Sequence, residues 1–262
     1  DVIITDHHEP AEKLPPAFAI LNPKLKDCKY PEKILCGSGV VFKFVQAFLK
    51  KYGTAFNVPV GWEKWLLDLV GIATLSDMVP LVGENRVFAF YGLKVLKKTS
   101  RPGLSQLFSK LRIKREYITE DDVGFTITPR INAASRMGKP DTAFNLLSTD
   151  DVVLAGAYAD ALEHVNNERK GTVASLVKEI RKIILERNVL EKKVIVLGNP
   201  LWRPSLLGLV ANTLAEEHGK PVFLWGRDGD NVIKGSCRSG KSANVFSIMQ
   251  NTSDSFSQYG GH

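Results

Sequence analysis

One apolar stripe at helical spacing runs through the middle of the chain and limits how the rest can fold. Its members are Leu154, Tyr158, Ala161, Leu162, Val165, Val173, Leu176, Val177, Ile180, Ile183 and Ile184. A helix that continues to Arg187 extends roughly 55 Å at about 1.5 Å per residue, which is longer than a small domain. We therefore predict a connecting helix over residues 149–188, with Gly171 as a weak point, between domains at residues 1–148 and 189–262.

Short apolar strands and amphipathic helices alternate in both domains, which predicts an α/β fold. In the first domain we predict strands at residues 2–5 and 17–21, helices at residues 37–52, 62–75, 85–97 and 103–111, and a capped helix start at residues 119–123. In the smaller second domain we predict strands at residues 194–197, 222–225 and 231–239 and helices at residues 204–218 and 244–259. The apolar first strand is typical of a buried parallel sheet. Ser148 and Asp151 have the spacing of a capping box for the long helix.

Composition narrows the class of protein. No run in the 262 residues approaches about 18 apolar residues, and the chain opens on a core-like strand, so we expect neither a transmembrane helix nor a secretory signal. Cys28, Cys36 and Cys237 lack the spacing of a disulfide framework or a structural zinc site, which indicates a reducing, cytoplasmic compartment. A net charge of +7 favours a polyanionic partner, with a mildly basic housekeeping enzyme as the alternative.

The first strand runs directly into Asp6, His7 and His8 and stops at Pro10. In an open α/β sheet, ligands bind outside the carboxyl ends of the strands. Because neighbouring residues at a strand end point in different directions, one histidine can bind a metal while the other faces a substrate. The acid can fix the tautomer of a histidine ring. The alternative is a polar strand exit with solvated histidines.

Two later features are suited to an anion or a metal. The glycine turn at residues 37–39 leaves N–H groups at a helix start open to an anion, although packing alone also explains it. Asp77 lies at the C-terminal end of a predicted helix. The helix dipole disfavours an acid there, which indicates a functional role for this carboxylate rather than a purely structural one.

Arginines and a serine are suited to phosphate. Arg130 and Arg136 lie six residues apart among small side chains and can bind phosphates bidentately, with a solvated basic turn as the alternative. Ser236 and Arg238 alternate along a predicted strand and therefore share one of its faces. Together their hydroxyl and guanidinium suit a terminal phosphate.

Taken in order, these motifs resemble the RecJ branch of the DHH phosphoesterases. The matching stretches are Asp6-His7-His8 and residues 37–43, 76–81, 128–137, 235–239 and 260–262. They follow the family's order across nearly the whole chain, which is far more specific than any one of them. The resemblance implies an α/β protein in which a parallel-sheet DHH domain is joined by the long helix to a smaller α/β DHH-associated domain.

The resemblance also implies an activity, cofactors and partners. The activity would be metal-dependent phosphodiester hydrolysis by a 5′ to 3′ exonuclease on single-stranded DNA, in DNA repair and recombination. Two divalent cations, Mn²⁺ or Mg²⁺, would activate water and neutralise phosphate charge. A single-strand-binding protein and a helicase would be partners of an enzyme that acts as a monomer away from membranes.

The family's roles carry over to individual residues. His7 and Asp77 would be metal ligands, His8 would contact the scissile phosphate, and Asp6 would ligate a metal or orient the neighbouring imidazole. Phosphate and nucleic-acid binding would fall to Arg130, Asn132, Arg136, Ser236, Arg238 and His262. The two glycines before His262 permit close approach of the backbone.

Two departures from the family pattern keep alternatives open. Family members carry an Asp-x-Asp strand end and a further acid upstream of the DHH strand, and neither is in this sequence, so we expect an internal fragment that hydrolyses little. Arg203 follows Trp202 where family members usually have a histidine. One alternative is a DHH enzyme acting on short oligonucleotides, cyclic dinucleotides or nucleotide phosphates, which residues 128–137 and the long helix disfavour. Another is a non-catalytic DNA-binding relative, which the missing acids favour.

Overall fold

The computed structural model describes residues 1–11, 13–227, 229, 232–241 and 243–260. The chain divides into two compact units. The first comprises Asp1–Asn132 and Asp141–Glu163, and the second comprises Ala133–Pro140 and His164–His262. Each unit therefore uses two separate stretches of the chain, and the division at Glu163 falls inside the long helix. The domain boundaries at residues 148 and 189 stay predictions.

A short parallel sheet in the first unit consists of β1 (Ile3–Thr5) and β2 (Ala19–Leu21). The N–H of Asp6 continues the pairing by donating to the carbonyl oxygen of Leu21 at 3.0 Å. The predicted parallel pairing is confirmed. The prediction that β1 is buried is wrong, because Ile3 is exposed and the other two residues are half-buried. β2 is the strand that pairs with β1 among the described residues, so only one side of β1 is covered by hydrogen-bonded neighbours.

Helices make up most of the chain between residues 37 and 148. They are α1 (Gly37–Tyr52), α2 (Leu67–Ser76), α3 (Gly83–Leu96), α4 (Pro102–Leu111), α5 (Thr128–Arg136) and α6 (Pro140–Ser148). Side chains from α1, α2 and α3 share a buried apolar cluster that includes Phe42, Val70 and Phe88. This cluster fixes α1 and α2, whose ends carry two of the motifs identified above.

The start of one predicted helix differs from its pattern, and the start of another is as predicted. The segment Trp62–Leu66 is a 3-10 helix, so α2 begins only at Leu67. The capped start predicted at residues 119–123 is confirmed, because the Asp122 carboxylate accepts the N–H of Thr119 at 3.0 Å. That helix then widens into a π-helical turn over Asp122–Ile127 before α5 begins.

The apolar stripe forms α7 (Val152–Glu186), a single helix of 35 residues that continues through Gly171. The predicted capping box of Ser148 and Asp151 is wrong for Ser148. The Ser148 hydroxyl donates back to the carbonyl of Phe144 at 2.8 Å, because this serine still belongs to α6. Asp151 caps α7 instead, since its carboxylate accepts the N–H of Val153 at 2.7 Å. In the described part of the chain, α7 included, no helix has both the length and the apolar composition that crossing a bilayer requires.

Gly171 and Gly103 are expected to respond in opposite ways to alanine. Gly171 has open space where a Cβ would lie, so Gly171→Ala should raise the free energy of unfolding by about 0.5–1 kcal/mol. A Cβ on Gly103 would lie 1.6 Å from the carbonyl oxygen of Leu146, so Gly103→Ala should lower the free energy of unfolding by about 1–3 kcal/mol. Urea unfolding measures both changes, and a destabilised Gly171→Ala variant would contradict a continuous helix.

The second unit holds a mixed sheet in the order β3 (Ile195–Gly198), β4 (Val222–Arg227) and β5 (Ile233–Arg238). β3 is parallel to β4, and β5 is antiparallel to it. Helix α8 (Pro204–His218) lies between β3 and β4 in the sequence and contributes buried residues to the same core as both strands. Its bounds agree with the prediction. Pro204 is its first residue, and Gly219, which follows its last residue, has a left-handed backbone conformation.

The last helix, α9 (Val245–Asn251), is much shorter than the predicted helix at residues 244–259. Asn244 caps its start by accepting the N–H of Phe246 at 2.8 Å. The residues that follow, Thr252-Ser253-Asp254-Ser255, carry short polar side chains that compete for backbone hydrogen bonds, so the helix ends there. The strand predicted at residues 231–239 is confirmed over β5, and its first predicted residue lies outside the described residues.

Candidate functional site

Asp6 organises the turn that follows β1. One carboxylate oxygen accepts hydrogen bonds from the N–H of His7 at 2.8 Å, from the N–H of His8 at 3.3 Å and from the ring Nδ1 of His8 at 2.7 Å. Burial alone would raise the pKa of the Asp6 carboxyl, but these hydrogen bonds outweigh burial and hold that pKa below its ordinary value. Because a carboxylate only accepts, Nδ1 of His8 carries a proton, and Nε2 lies on the opposite side of the ring. Asp6 therefore orients the His8 ring.

His7 faces Asp77, which lies at the C-terminal end of α2. Its Nδ1 is 3.4 Å from Oδ2 of Asp77, and 19% of its side chain is exposed. Burial lowers the pKa of His7 and outweighs the Asp77 carboxylate, which raises it. The neutral ring that results is the form in which histidine binds metal. Two residues far apart in the sequence are thus brought together at the carboxyl end of β1.

Two residues near the histidines have roles that the sequence did not predict. A Cβ on Gly37 would lie 3.4 Å from Cδ2 of His7, so this glycine lets the histidine ring pack against the start of α1. Asn22 is buried and donates to the carbonyl oxygen of His8 at 2.8 Å. In the sequence, Asn22 precedes Pro23, which indicates only the end of the strand predicted at residues 17–21.

The donor atoms of His7 and Asp77 fit a hard divalent cation in part. Imidazole nitrogen and carboxylate oxygen suit Mn²⁺ or Mg²⁺. Two ligands at right angles, each about 2.1 Å from one ion, lie about 3 Å apart, which is close to the observed 3.4 Å. No group of three or more histidine, cysteine, aspartate or glutamate side chains in the described part of the chain is arranged to hold a metal. By themselves, His7 and Asp77 would fill only part of the coordination shell of such an ion.

Arg130 is already engaged within the first unit. Its Nε and Nη2 donate to the carboxylate of Glu163 at 2.6 and 3.4 Å, and its Nη1 donates to the carbonyl of Thr126 at 2.7 Å. Only 14% of the side chain is exposed, and the segment is helical rather than a solvated basic turn. Glu163 therefore already neutralises the charge that would attract a phosphate to this guanidinium. Asn132, on the same helix, is exposed.

Arg136 lies in the second unit and joins the end of α5 to the start of α8. Its Nη1 donates to the carbonyl of Ser205 at 3.2 Å, and the Ser205 hydroxyl donates to the carbonyl of Arg136 at 2.6 Å. Arg203 donates to the Met137 sulfur at 3.8 Å. Burial, together with the positive charge of Arg238, lowers the pKa of Arg136. Among the described residues, none of these three arginines has a carboxylate as an ion-pair partner.

Ser236 and Arg238 lie on the same face of β5, as predicted, and this face meets α8 at Gly208. A Cβ on Gly208 would lie 3.2 Å from Nη2 of Arg238 and 3.6 Å from Oγ of Ser236. The glycine therefore leaves room for both polar groups, a role that no sequence pattern indicated. The Arg238 guanidinium also donates to the carbonyl of Cys237 at 2.7 Å. The remaining predicted phosphate ligand, His262, lies outside the described residues.

Comparison with known proteins finds two matching domain families and several similar proteins. Residues 1–74 match the DHH family, N-terminal domain, and residues 191–262 match the DHHA1 domain. The single-stranded-DNA-specific exonuclease RecJ of Bacillus subtilis is 36% identical over 263 residues, which cover 100% of this chain and 32% of that protein. The chain therefore contains DHH and DHHA1 domains and is RecJ-like over its full length. The Escherichia coli protein of the same name is 31% identical over 275 residues, which cover 100% of this chain and 48% of that protein.

Solved structures of this branch have the same fold. RecJ from Thermus thermophilus in complex with Mn²⁺ matches with a TM-score of 0.81 at 32% identity, covering 100% of this chain and 37% of that one. An exonuclease RecJ bound to manganese matches with a TM-score of 0.75 at 32% identity, covering 63% of that chain. The predicted α/β class and the resemblance to RecJ are confirmed. The chain spans about a third to a half of the length of the curated relatives.

Proposed function

We propose that this chain carries catalytic and end-binding residues of a metal-dependent exonuclease that acts on single-stranded DNA. The observation that carries the proposal is the meeting of His7 with Asp77 at the carboxyl end of a parallel strand. Support comes from relatives whose names describe single-stranded-DNA-specific exonucleases and from structural neighbours whose names include Mn²⁺ or Mg²⁺. Two divalent cations would be the cofactors.

His7 and Asp77 are the residues of this chain that would hold a cation. The ion would supply a nucleophilic water and neutralise charge on the phosphate. His8 would face the scissile phosphate, since Asp6 fixes its ring through Nδ1 and leaves Nε2 on the opposite side. Asp6 then acts by positioning His8, a role that its three hydrogen bonds support.

Arg136, Ser236 and Arg238 would bind phosphates of the DNA, with the 5′ phosphate held by the last two. Support comes from the absence of a carboxylate partner for either arginine among the described residues, and from the shared face of Ser236 and Arg238. Arg130 ranks after them because Glu163 already neutralises it. Degradation from the 5′ end follows from this assignment. Roles for Asn132 and His262, action as a monomer, and partnership with a helicase and a single-strand-binding protein stay predictions.

The chain is expected to bind Mn²⁺ weakly. His7 and Asp77 supply two donors, whereas an ion of this class takes about six ligands, and no larger cluster of donors occurs among the described residues. Water must fill the remaining positions, so we expect a dissociation constant in the millimolar range. Isothermal titration with Mn²⁺ measures it, with His7→Ala as the control. Micromolar binding that survives His7→Ala would contradict this ligand assignment.

A nuclease assay tests the proposed function. Single-stranded and duplex oligonucleotides with a 3′ label are incubated with an excess of the chain and millimolar Mn²⁺, with EDTA as the control. We expect slow shortening of the single strand alone, and none with EDTA. Binding of single strands without any hydrolysis would instead favour a non-catalytic DNA-binding relative, which a coordination shell only partly filled by His7 and Asp77 also suits.

A further inference from the structure

A hydrogen bond between two hydroxyls links α2 to α5 beside Asp77. Oγ of Ser76, the last residue of α2, lies 2.5 Å from Oγ1 of Thr128, the first residue of α5. The Ser76 hydroxyl donates to the carbonyl of Ile72 at 2.6 Å, so the proton of the shared bond comes from Thr128. Thr128 is 6% exposed, and water therefore competes little with this bond.

The π-helical turn over Asp122–Ile127 sets the position of Thr128. A π turn holds more residues than an α turn, so it rotates everything that follows about the helix axis, and such turns are frequent at functional sites. Thr128 is the first residue beyond it, and the turn packs against α2. The wide turn therefore directs the hydroxyl of Thr128 toward the end of α2.

The end of α2 is where the direction of the Asp77 carboxylate is decided. The N–H of Asp77 makes the last helical hydrogen bond, to the carbonyl of Ala73 at 2.9 Å. Met78 follows in the left-handed region with φ of 53°, so the chain leaves the helix at once. Helix ends fray when nothing holds them. Ser76 is the neighbour of Asp77, and its bond to Thr128 holds this last turn.

We propose that Thr128 is a positioning residue for Asp77: its hydrogen bond to Ser76 fixes the helix end that aims this carboxylate at the cation shared with His7. The inference rests on the proposed metal site. It assigns α5 a second role besides carrying Arg130 and Arg136, because the same helix that bears these arginines also holds the Asp77 end of α2. Partners that orient a ligand typically change metal affinity tenfold or more when they are lost.

The test follows broadening of the His7 ring proton resonances by Mn²⁺ in NMR spectra, a readout that detects weak binding and needs no DNA. Thr128→Val removes the hydroxyl and keeps the shape, and should raise the Mn²⁺ concentration for half-maximal broadening on the order of tenfold. Thr128→Ser keeps the hydroxyl and should match the parent. Thr213→Val is the matched control, since that hydroxyl donates to the carbonyl of Leu209 within α8.

Ser76→Ala provides a second route to the same measurement if Thr128→Val folds poorly in melts recorded with EDTA. Ser76→Ala also removes the bond to Ile72, so it should cause at least the same loss. The double variant should lose no more than Ser76→Ala, because both changes remove the bond between Ser76 and Thr128. Unchanged broadening in both single variants, or additive losses in the double variant, would overturn the positioning role of Thr128. Either result would leave the proposed metal site standing. Absence of any broadening of His7 in the parent would overturn the metal site, and this inference with it.

Discussion

Replacing Arg238 by alanine is expected to weaken binding of 5′-phosphorylated single strands ten- to hundredfold and to spare strands with a 5′ hydroxyl. A hydrogen bond to a charged group contributes about 1.5–3 kcal/mol, and about 1.4 kcal/mol corresponds to a factor of ten. A terminal phosphate dianion would meet the guanidinium and the Ser236 hydroxyl together, since both groups lie beside Gly208. A 5′ hydroxyl offers this pair no comparable charge.

The measurement is fluorescence anisotropy with two oligonucleotides that differ only at the 5′ end, in EDTA so that no hydrolysis occurs. Arg227→Ala is the matched control, because it removes the same charge from an exposed position on the neighbouring strand β4. That control should weaken the binding of both oligonucleotides slightly and equally. An equal loss for both ends in Arg238→Ala, with a salt slope reduced by about one, would make Arg238 a nonspecific groove residue.

Replacing His7 or Asp77 by alanine is expected to reduce hydrolysis at least a hundredfold while binding of single strands largely survives. These two side chains would act on the cation, whose loss removes several kcal/mol of transition-state stabilisation. The arginines assigned to DNA in the second unit belong to a separate set of contacts, so affinity should change little.

Single-turnover assays with the chain in excess over DNA measure the rate, because weak metal binding is expected to keep turnover slow. His164→Ala is the control, since that histidine is exposed and lies on α7. It should leave the rate unchanged. If binding and rate fall by the same factor in His7→Ala, the histidine contacts DNA rather than a metal.

Element types and most bounds followed from local patterns. The observed bounds of α1 and α8 agree with the prediction, because glycine and proline mark where a helix can begin. The overlong prediction for α9 shows the limit of this reasoning, since the polar run at residues 252–255 continues no apolar stripe yet was read as helix. The π-helical turn before α5, which packs against α2, had no sequence signal either.

The sequence likewise indicated only part of the candidate site. The sequence alone placed His7 and Asp77 at the ends of a strand and a helix, and the order of the motifs indicated the family. Their 3.4 Å approach, and the support from Asn22 and Thr128, required the fold, because these contacts join residues that are far apart in the chain.

The arginines show most clearly what the sequence determined and what only the tertiary structure decided. By itself the sequence determined that Arg130 and Arg136 lie on one segment and that Ser236 and Arg238 share a strand face, since the periods of helix and strand are local properties. Only the tertiary structure decided that Arg130 is neutralised by Glu163, 33 residues away, whereas Arg136 and Arg238 lie near enough to repel each other. Ion pairs between elements depend on how those elements pack, and no repeat along a single element encodes that packing.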